Sequence, residues 1–198
     1  MLKLILNKKY NPLFSSDARY FIITGGRGSG KSFAVTVFLT LLTMTKGIRI
    51  LFTRFTMTSA HLSIIPEFLE KIGLLGFDEV FSINKAEVVN TSNQSDILFR
   101  GIRTSAGNQT ASLKSLQGIS TWVLDEAEEL VDENIFDTID LSIREKNIHN
   151  RVVLILNPVT KEHWIYKRFF EDKGVEGGFN GFKDNVCYIH TNYLDNKE

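Results

Sequence analysis

Eight consecutive residues, Gly25-Gly26-Arg27-Gly28-Ser29-Gly30-Lys31-Ser32, have the makeup of a phosphate cradle. They match G-x-x-x-x-G-K-[ST] in full, a pattern in which each residue type has a chemical reason. Glycines let successive backbone N–H groups turn inward and approach phosphate oxygens. The lysine, Lys31, reaches the β- and γ-phosphates, and the Ser32 hydroxyl is the expected Mg²⁺ ligand. A second pair of residues fits the same chemistry. Asp125 and Glu126 close the apolar run Thr121-Trp122-Val123-Leu124. Two adjacent carboxylates at the end of a buried strand repel each other unless a cation sits beside them. Asp125 is the expected second metal ligand, directly or through water. Glu126 is the expected general base that orients and polarises the attacking water. Glu128 and Glu129 read as solvated residues on the face of an acidic helix.

Such residues must be held by particular elements. Tyr20 to Thr24 is a short β-prone run ending in glycine, and Ser32 to about Met44 is apolar on most sides, so the loop lies between a buried strand and a buried helix. Ile48 to Thr53 reads as the next strand. A second helix is expected over Ser63 to Ile72, with Pro66 in its first turn or kinking it. Val80 to Ile83 follows as a strand, and Glu87–Asn90 and Asp96–Phe99 form a hairpin around Thr91 to Ser95. Val131, Ile135, Ile139 and Ile143 recur every four residues, one face of an amphipathic helix. Val152 to Leu156 is continuously apolar, as a strand buried on both faces should be. His163 to Glu171 reads as helical, and Val186 to Thr191 as a last strand. Strands alternating with helices predict an α/β fold with a mostly parallel central sheet flanked by helices.

Composition narrows the function classes. A chain of 198 residues, 43% of them hydrophobic, suits a single domain with its own core. No run is long enough to span a membrane, and Met1 to Leu6 is too short even for a signal core. Cys187 stands alone among apolar neighbours, so it reads as an inert core thiol. Lysines plus arginines equal aspartates plus glutamates, 23 against 23, so no overall basic footprint announces a nucleic-acid binder. Any DNA contact must be local, and binding by the isolated chain is expected to be weak and salt-sensitive. The four histidines lack metal-ligand spacing.

More of the chain becomes specific when these motifs are taken in order. Gly25 to Ser32, then Leu113-Lys114-Ser115-Leu116-Gln117-Gly118 leading into Trp122 to Leu130, then Ile155-Leu156-Asn157-Pro158, resemble the ATPase part of the large terminase subunit of tailed bacteriophages. The resemblance continues through His163 to Tyr166 and ends with Thr191 to Asn196. It implies a P-loop ATPase of the additional-strand type with a β-hairpin insertion. It implies ATP and Mg²⁺ as fuel and cofactor, and a motor that drives double-stranded DNA into a procapsid. Its implied partners are a portal protein and a small terminase subunit, its assembly a homo-oligomeric ring on the portal, and its setting the host bacterial cytoplasm. Arg27 matches the family's loop arginine, which helps neutralise the transition state in cis. Asn157 matches the segment that couples nucleotide state to motion. Family members normally carry a nuclease domain after the ATPase domain. The sequence leaves no room for one before Glu198, so an excised or truncated module without nuclease activity is the expectation.

Several residues stay open at this level. Arg27 also reads as solvated loop charge, and Asn157 as a turn residue before Pro158. Arg54 lies near the nucleotide edge without a defined role. Lys114 and Arg144 are candidates for a charge donated to a neighbour's site, or plain surface charges. The segment from Tyr10 to Phe14 either contacts the adenine or tethers the chain. Two other functions fit the loop. A helicase-like ATPase would share the Asp125-Glu126-Ala127-Glu128 box, but needs a second motor lobe and a Ser/Thr-rich motif where Asn157-Pro158 stands. A nucleotide-binding switch or assembly module would not need a carboxylate at Glu126.

Overall fold

The computed structural model describes residues 4–57, 60–104, 107–108, 113 and 115–195. In chain order the strands are β1 (Tyr20–Gly25), β2 (Arg49–Thr56), β3 (Phe81–Ile83), β4 (Glu87–Asn90), β5 (Asp96–Thr104), β6 (Gly107–Asn108), β7 (Thr121–Asp125), β8 (Arg151–Leu156), β9 (Gly181–Lys183) and β10 (Val186–Thr191). The helices are α1 (Asn11–Ser15), α2 (Lys31–Leu42), α3 (Ala60–Leu75), α4 (Glu133–Asp140) and α5 (Trp164–Tyr166). The strands form one sheet in the order β3-β4-β5-β2-β7-β8-β1-β10-β9, with β6 paired to β5. From β5 to β10 every pairing is parallel, and the antiparallel pairs lie at the two ends. β8 lies between β1 and β7, which is the additional strand. The expected hairpin of β4 and β5 lies toward one end of the sheet, with β5 paired to β2.

The parallel strands are apolar on both faces because helices or loops cover both. Alternate residues feed two cores. Phe21 and Ile23 of β1 and Val153 and Ile155 of β8 point into one, together with Ala34, Val35, Phe38 and Leu39 of α2. Ile22 and Leu154 point into the other, with Trp122, Phe136, Trp164 and Phe169. α2 carries the β-branched run Val35-Thr36-Val37, which disfavours a helix by a few tenths of a kcal/mol per residue. All three are buried. Burial of each valine contributes about 1.5–3 kcal/mol, so packing overrides propensity. The N-terminus of α2 is thereby fixed at Lys31, under the end of β1.

Local departures from the sequence reading have local causes. The four-residue spacing of Val131 to Ile143 crosses both ends of α4. Asp132 caps that helix by accepting from the Asn134 N–H at 3.0 Å, so Val131 lies outside it and is 75% exposed. The expected helix over His163 to Glu171 is α5 followed by a wider π-helical turn, Lys167–Glu171, which buries both Phe169 and Phe170. α3 extends beyond the expected span at both ends and holds Pro66 inside it. β5 runs five residues further than expected. β9 carried no apolar pattern to announce it; its residues are exposed or half-exposed.

Candidate functional site

Parallel strands place their C-terminal ends on one edge of the sheet, where α/β folds bind ligands. Register brings three of those ends level: Thr24 pairs with Leu156, and Asp125 with Ile155. Gly25, Asn157 and Asp125–Glu126 therefore meet around one open cleft of about 400 Å³. Its lining includes Gly26 to Phe33, Arg54, Asp125, Glu126, Glu128 and Asn157. Of the expected phosphate-loop, acidic-pair and coupling residues, all but Gly25 line it directly.

The loop has a demanding backbone. Gly28 and Gly30 have φ of 72° and 80°, the left-handed region that favours glycine, and Gly30 is the N-cap of α2. Gly25 is needed for a different reason. A Cβ there would lie 2.1 Å from the Thr191 carbonyl oxygen on β10. Ser29 is buried, and its hydroxyl donates to the Gly26 carbonyl at 2.8 Å, closing the loop on itself. The Lys31 ammonium donates to the carbonyls of Gly25 and Gly26 at 2.5 and 3.0 Å, and lies 3.4 Å from Asn157 Oδ1. Burial lowers its pKa, while the carboxylates of Glu128 and Asp125 oppose that shift. Ser32 and Arg27 are exposed on the cleft wall.

Across the cleft, Asp125 is buried and Glu126 is not. Glu126 takes a left-handed conformation, φ 53° and ψ 45°, which turns the chain out of β7 into a 3-10 turn, Ala127–Glu129. Arg54 supplies the cation that the two acids call for. Its Nε donates to Asp125 Oδ2 at 2.7 Å and lies 3.7 Å from Glu126 Oε2. Burial raises the Glu126 pKa; the Arg54 charge pulls it down, and Asp125 pushes it further up. Sequence reading placed Arg54 near this edge without a role. The missing signal was the pairing of β2 with β7: with Thr53 level with Leu124, Arg54 falls beside Asp125.

One expectation is corrected, and one open alternative is narrowed. Glu128 is not a solvated helix-face residue. It lies in the 3-10 turn, half-buried, and its Oε1 accepts from Asn157 Nδ2 at 2.6 Å. Tyr10 is 2% exposed, and its hydroxyl donates to the Ser29 carbonyl at 3.0 Å. This segment tethers the loop, and the Tyr10 ring has no free face for a base. Arg144 is exposed near the start of β7, in a cleft with Gln117 and Gly118, at the opposite edge of the sheet from the chain's own loop. Lys114 lies outside the described residues. Burial pushes the Cys187 thiol up to about 12, in keeping with an inert core thiol.

Comparisons with known proteins converge on one group. A family model described as phage terminase large subunit matches residues 17–197. The large terminase subunit of Bacillus phage SPP1 is 23% identical over 217 residues, covering 98% of this chain and 49% of that protein. Among solved structures, the large terminase of a thermophilic bacteriophage superposes with a TM-score of 0.73 at 12% identity, over 97% of this chain and 47% of that one. That terminase has also been solved in complex with ATP-γ-S. The N-terminal domain of the DNA packaging ATPase from bacteriophage phi29 gives a TM-score of 0.66 at 17% identity, over 93% and 96% of the two chains. The chain thus spans about half the length of the SPP1 and thermophilic-phage terminases, and its fold is shared with the large terminase ATPase domain of Thermus phage P74-26, with a TM-score of 0.67 at 17% identity over 96% and 81% of the two chains.

Proposed function

The chain belongs to the phage terminase large-subunit family, and from that membership and its cleft we propose that it is the ATP-hydrolysing motor domain of a DNA-packaging terminase. The observation that carries the reading is the juxtaposition of the Gly25–Ser32 cradle with Asp125 and Glu126 across one cleft, with Asp125 already holding a cationic group. A switch or scaffold has no use for a second carboxylate so placed.

In this reading the loop N–H groups and the N-terminus of α2 bind the phosphates. Lys31 leaves its loop carbonyls for the β- and γ-phosphate oxygens, and Arg27 offsets charge that develops on the γ-phosphoryl group. Glu126 accepts the proton of the water that attacks in line. Asn157, one residue past the strand between β1 and β7, relays the change to rigid-body motion. The donor set fits Mg²⁺, a hard cation that takes oxygen ligands and needs few from protein. Ser32 Oγ and Asp125 would hold it, and it would supply positive charge to offset that of the phosphates.

The work done is translocation of double-stranded DNA into a procapsid, as part of a ring on a portal protein, with a small terminase subunit and in the host bacterial cytoplasm. The phi29 relative's description as a DNA packaging ATPase supports the DNA substrate. The balanced charge of this chain argues for local DNA contacts. No described helix is long and apolar enough to cross a membrane.

Calorimetry and steady-state turnover test the reading together. Lys31→Ala is expected to lose ATP binding, and Glu126→Gln to bind ATP while turning over almost none. Unchanged affinity in the first removes the reading, and wild-type turnover in the second reassigns the base. Turnover per subunit that climbs with protein concentration would place a neighbour's arginine, such as Arg144, in the site.

A further inference from the structure

Three side chains form a bridge from the phosphate loop to the turn behind the acidic pair. Lys31 Nζ lies 3.4 Å from Asn157 Oδ1, and Asn157 Nδ2 donates to Glu128 Oε1 at 2.6 Å. The far end is anchored. His163 Nδ1 accepts from the Ile165 N–H at 3.2 Å, so its Nε2 carries the proton and donates to the Glu128 carbonyl at 3.1 Å. The second carboxylate oxygen of Glu128, Oε2, is buried and has no hydrogen-bond partner among the described residues. Such an orphaned charged atom is costly and is a feature that functional sites retain.

An ionised carboxylate only accepts. While Glu128 is charged, Asn157 must turn its N–H₂ toward it, because the flipped amide would set oxygen against oxygen. We propose that Glu128 is a positioning residue that locks the Asn157 amide with Oδ1 facing the nucleotide cleft. Asn157 then offers an acceptor to the Lys31 ammonium and to the attacking water, and offers no donor to the γ-phosphate. At 2.6 Å the bond is shorter than a neutral amide donor usually makes. The same carboxylate is the leading charge that opposes loss of the Lys31 proton. This inference rests on the ATPase reading for its catalytic consequence, while the amide lock itself does not.

The experiment has two arms on the full chain. In the first, the Asn157 side-chain amide is followed by ¹H–¹⁵N spectra without nucleotide, assigned by its loss in Asn157→Ala. Its signals are expected to move markedly in Glu128→Ala and little in Glu128→Gln, whose carbonyl still accepts. In the second, Glu128→Ala is expected to lower kcat by about 10- to 100-fold, the scale of one hydrogen bond to a charged group. Nucleotide Kd should stay within about threefold, and Glu128→Gln should recover most of the turnover. The double variant Glu128→Ala with Asn157→Ala should be no slower than Asn157→Ala alone. An unmoved amide in Glu128→Ala overturns the proposal. So does a multiplicative double variant, or a Glu128→Gln as dead as Glu126→Gln, which would make Glu128 the base. A wild-type chain without turnover sinks the ATPase reading, and the amide arm still decides the lock.

Discussion

Two nitrogens of Arg54, Nε and Nη2, lie 2.7 and 2.6 Å from the same oxygen of Asp125, Oδ2. The guanidinium thus occupies one oxygen of a carboxylate expected to ligate Mg²⁺, and it lies against Glu126 as well. Arg54 supplies positive charge to the same carboxylate that a bound metal would neutralise. Asp125 has a side chain only 8% exposed, so removal of its partner is costly.

Arg54→Ala should therefore destabilise the nucleotide-free chain by about 1–3 kcal/mol, the cost of leaving a largely buried carboxylate unpaired. Added Mg²⁺ with ADP should shrink that deficit, because the metal replaces the lost charge. Urea unfolding of both proteins, with and without Mg²⁺-ADP, measures it. An equal deficit in both conditions would show that Arg54 and the metal do not share a site.

The same pair sets a pH dependence. Burial raises the Glu126 pKa, and Arg54 is the largest influence lowering it. A base must be deprotonated to act, so the acid limb of kcat/KM should lie above the usual glutamate value of about 4.3. Without Arg54 the opposing charge is gone and the limb should move to still higher pH. Profiles of wild type and Arg54→Ala, taken where both remain folded, check the direction. A limb that moves down would mean that Arg54 does not act on Glu126.

Gly25 and Gly26 are adjacent letters of one motif with different physical burdens. A Cβ on Gly25 would meet the Thr191 backbone at 2.1 Å, at the register pair joining β1 to β10. Gly26 has nothing within 4 Å of such a Cβ. Gly25→Ala should lose about 2–3 kcal/mol or fail to fold, as overpacking against a backbone does. Gly26→Ala should stay within about 0.5 kcal/mol of wild type. Thermal unfolding of the two variants decides it, and equal stability would refute the close approach.

What the sequence disclosed and what it hid follow the same physical line. Strand-borne chemistry was legible, because Tyr20–Gly25, Thr121–Asp125 and Arg151–Leu156 are apolar runs whose ends must emerge at one edge of a parallel sheet. That logic placed the Gly25–Ser32 loop, Asp125 and Glu126 at one edge, while Asn157 was singled out through the family resemblance. Contacts across strands distant in sequence were not legible. Arg54 meets Asp125 only because β2 pairs with β7, and Glu128 meets Asn157 only because the chain after Glu126 makes a 3-10 turn. An acidic stretch reads as solvated helix until that turn is seen. Val131 failed for a related reason: periodicity does not mark where a cap interrupts it.

Tyr10 offers the last test, because its one proton fixes the direction of two hydrogen bonds. The hydroxyl donates to the Ser29 carbonyl at 3.0 Å, so at 2.8 Å from Thr191 Oγ1 it must accept. Burial raises the phenol pKa, which keeps that proton in place. Tyr10→Phe leaves two buried groups unsatisfied, the Ser29 carbonyl and the Thr191 hydroxyl, at a cost of about 1–2 kcal/mol. Thr191→Val breaks only the second bond and leaves the phosphate loop tied. Both variants should lose stability, but only Tyr10→Phe should weaken nucleotide binding, by about two- to tenfold, because only it frees the loop at Ser29. Unfolding curves and nucleotide titrations on the two proteins separate the effects. Equal weakening in both would mean that the tether acts through β10 and not through the loop.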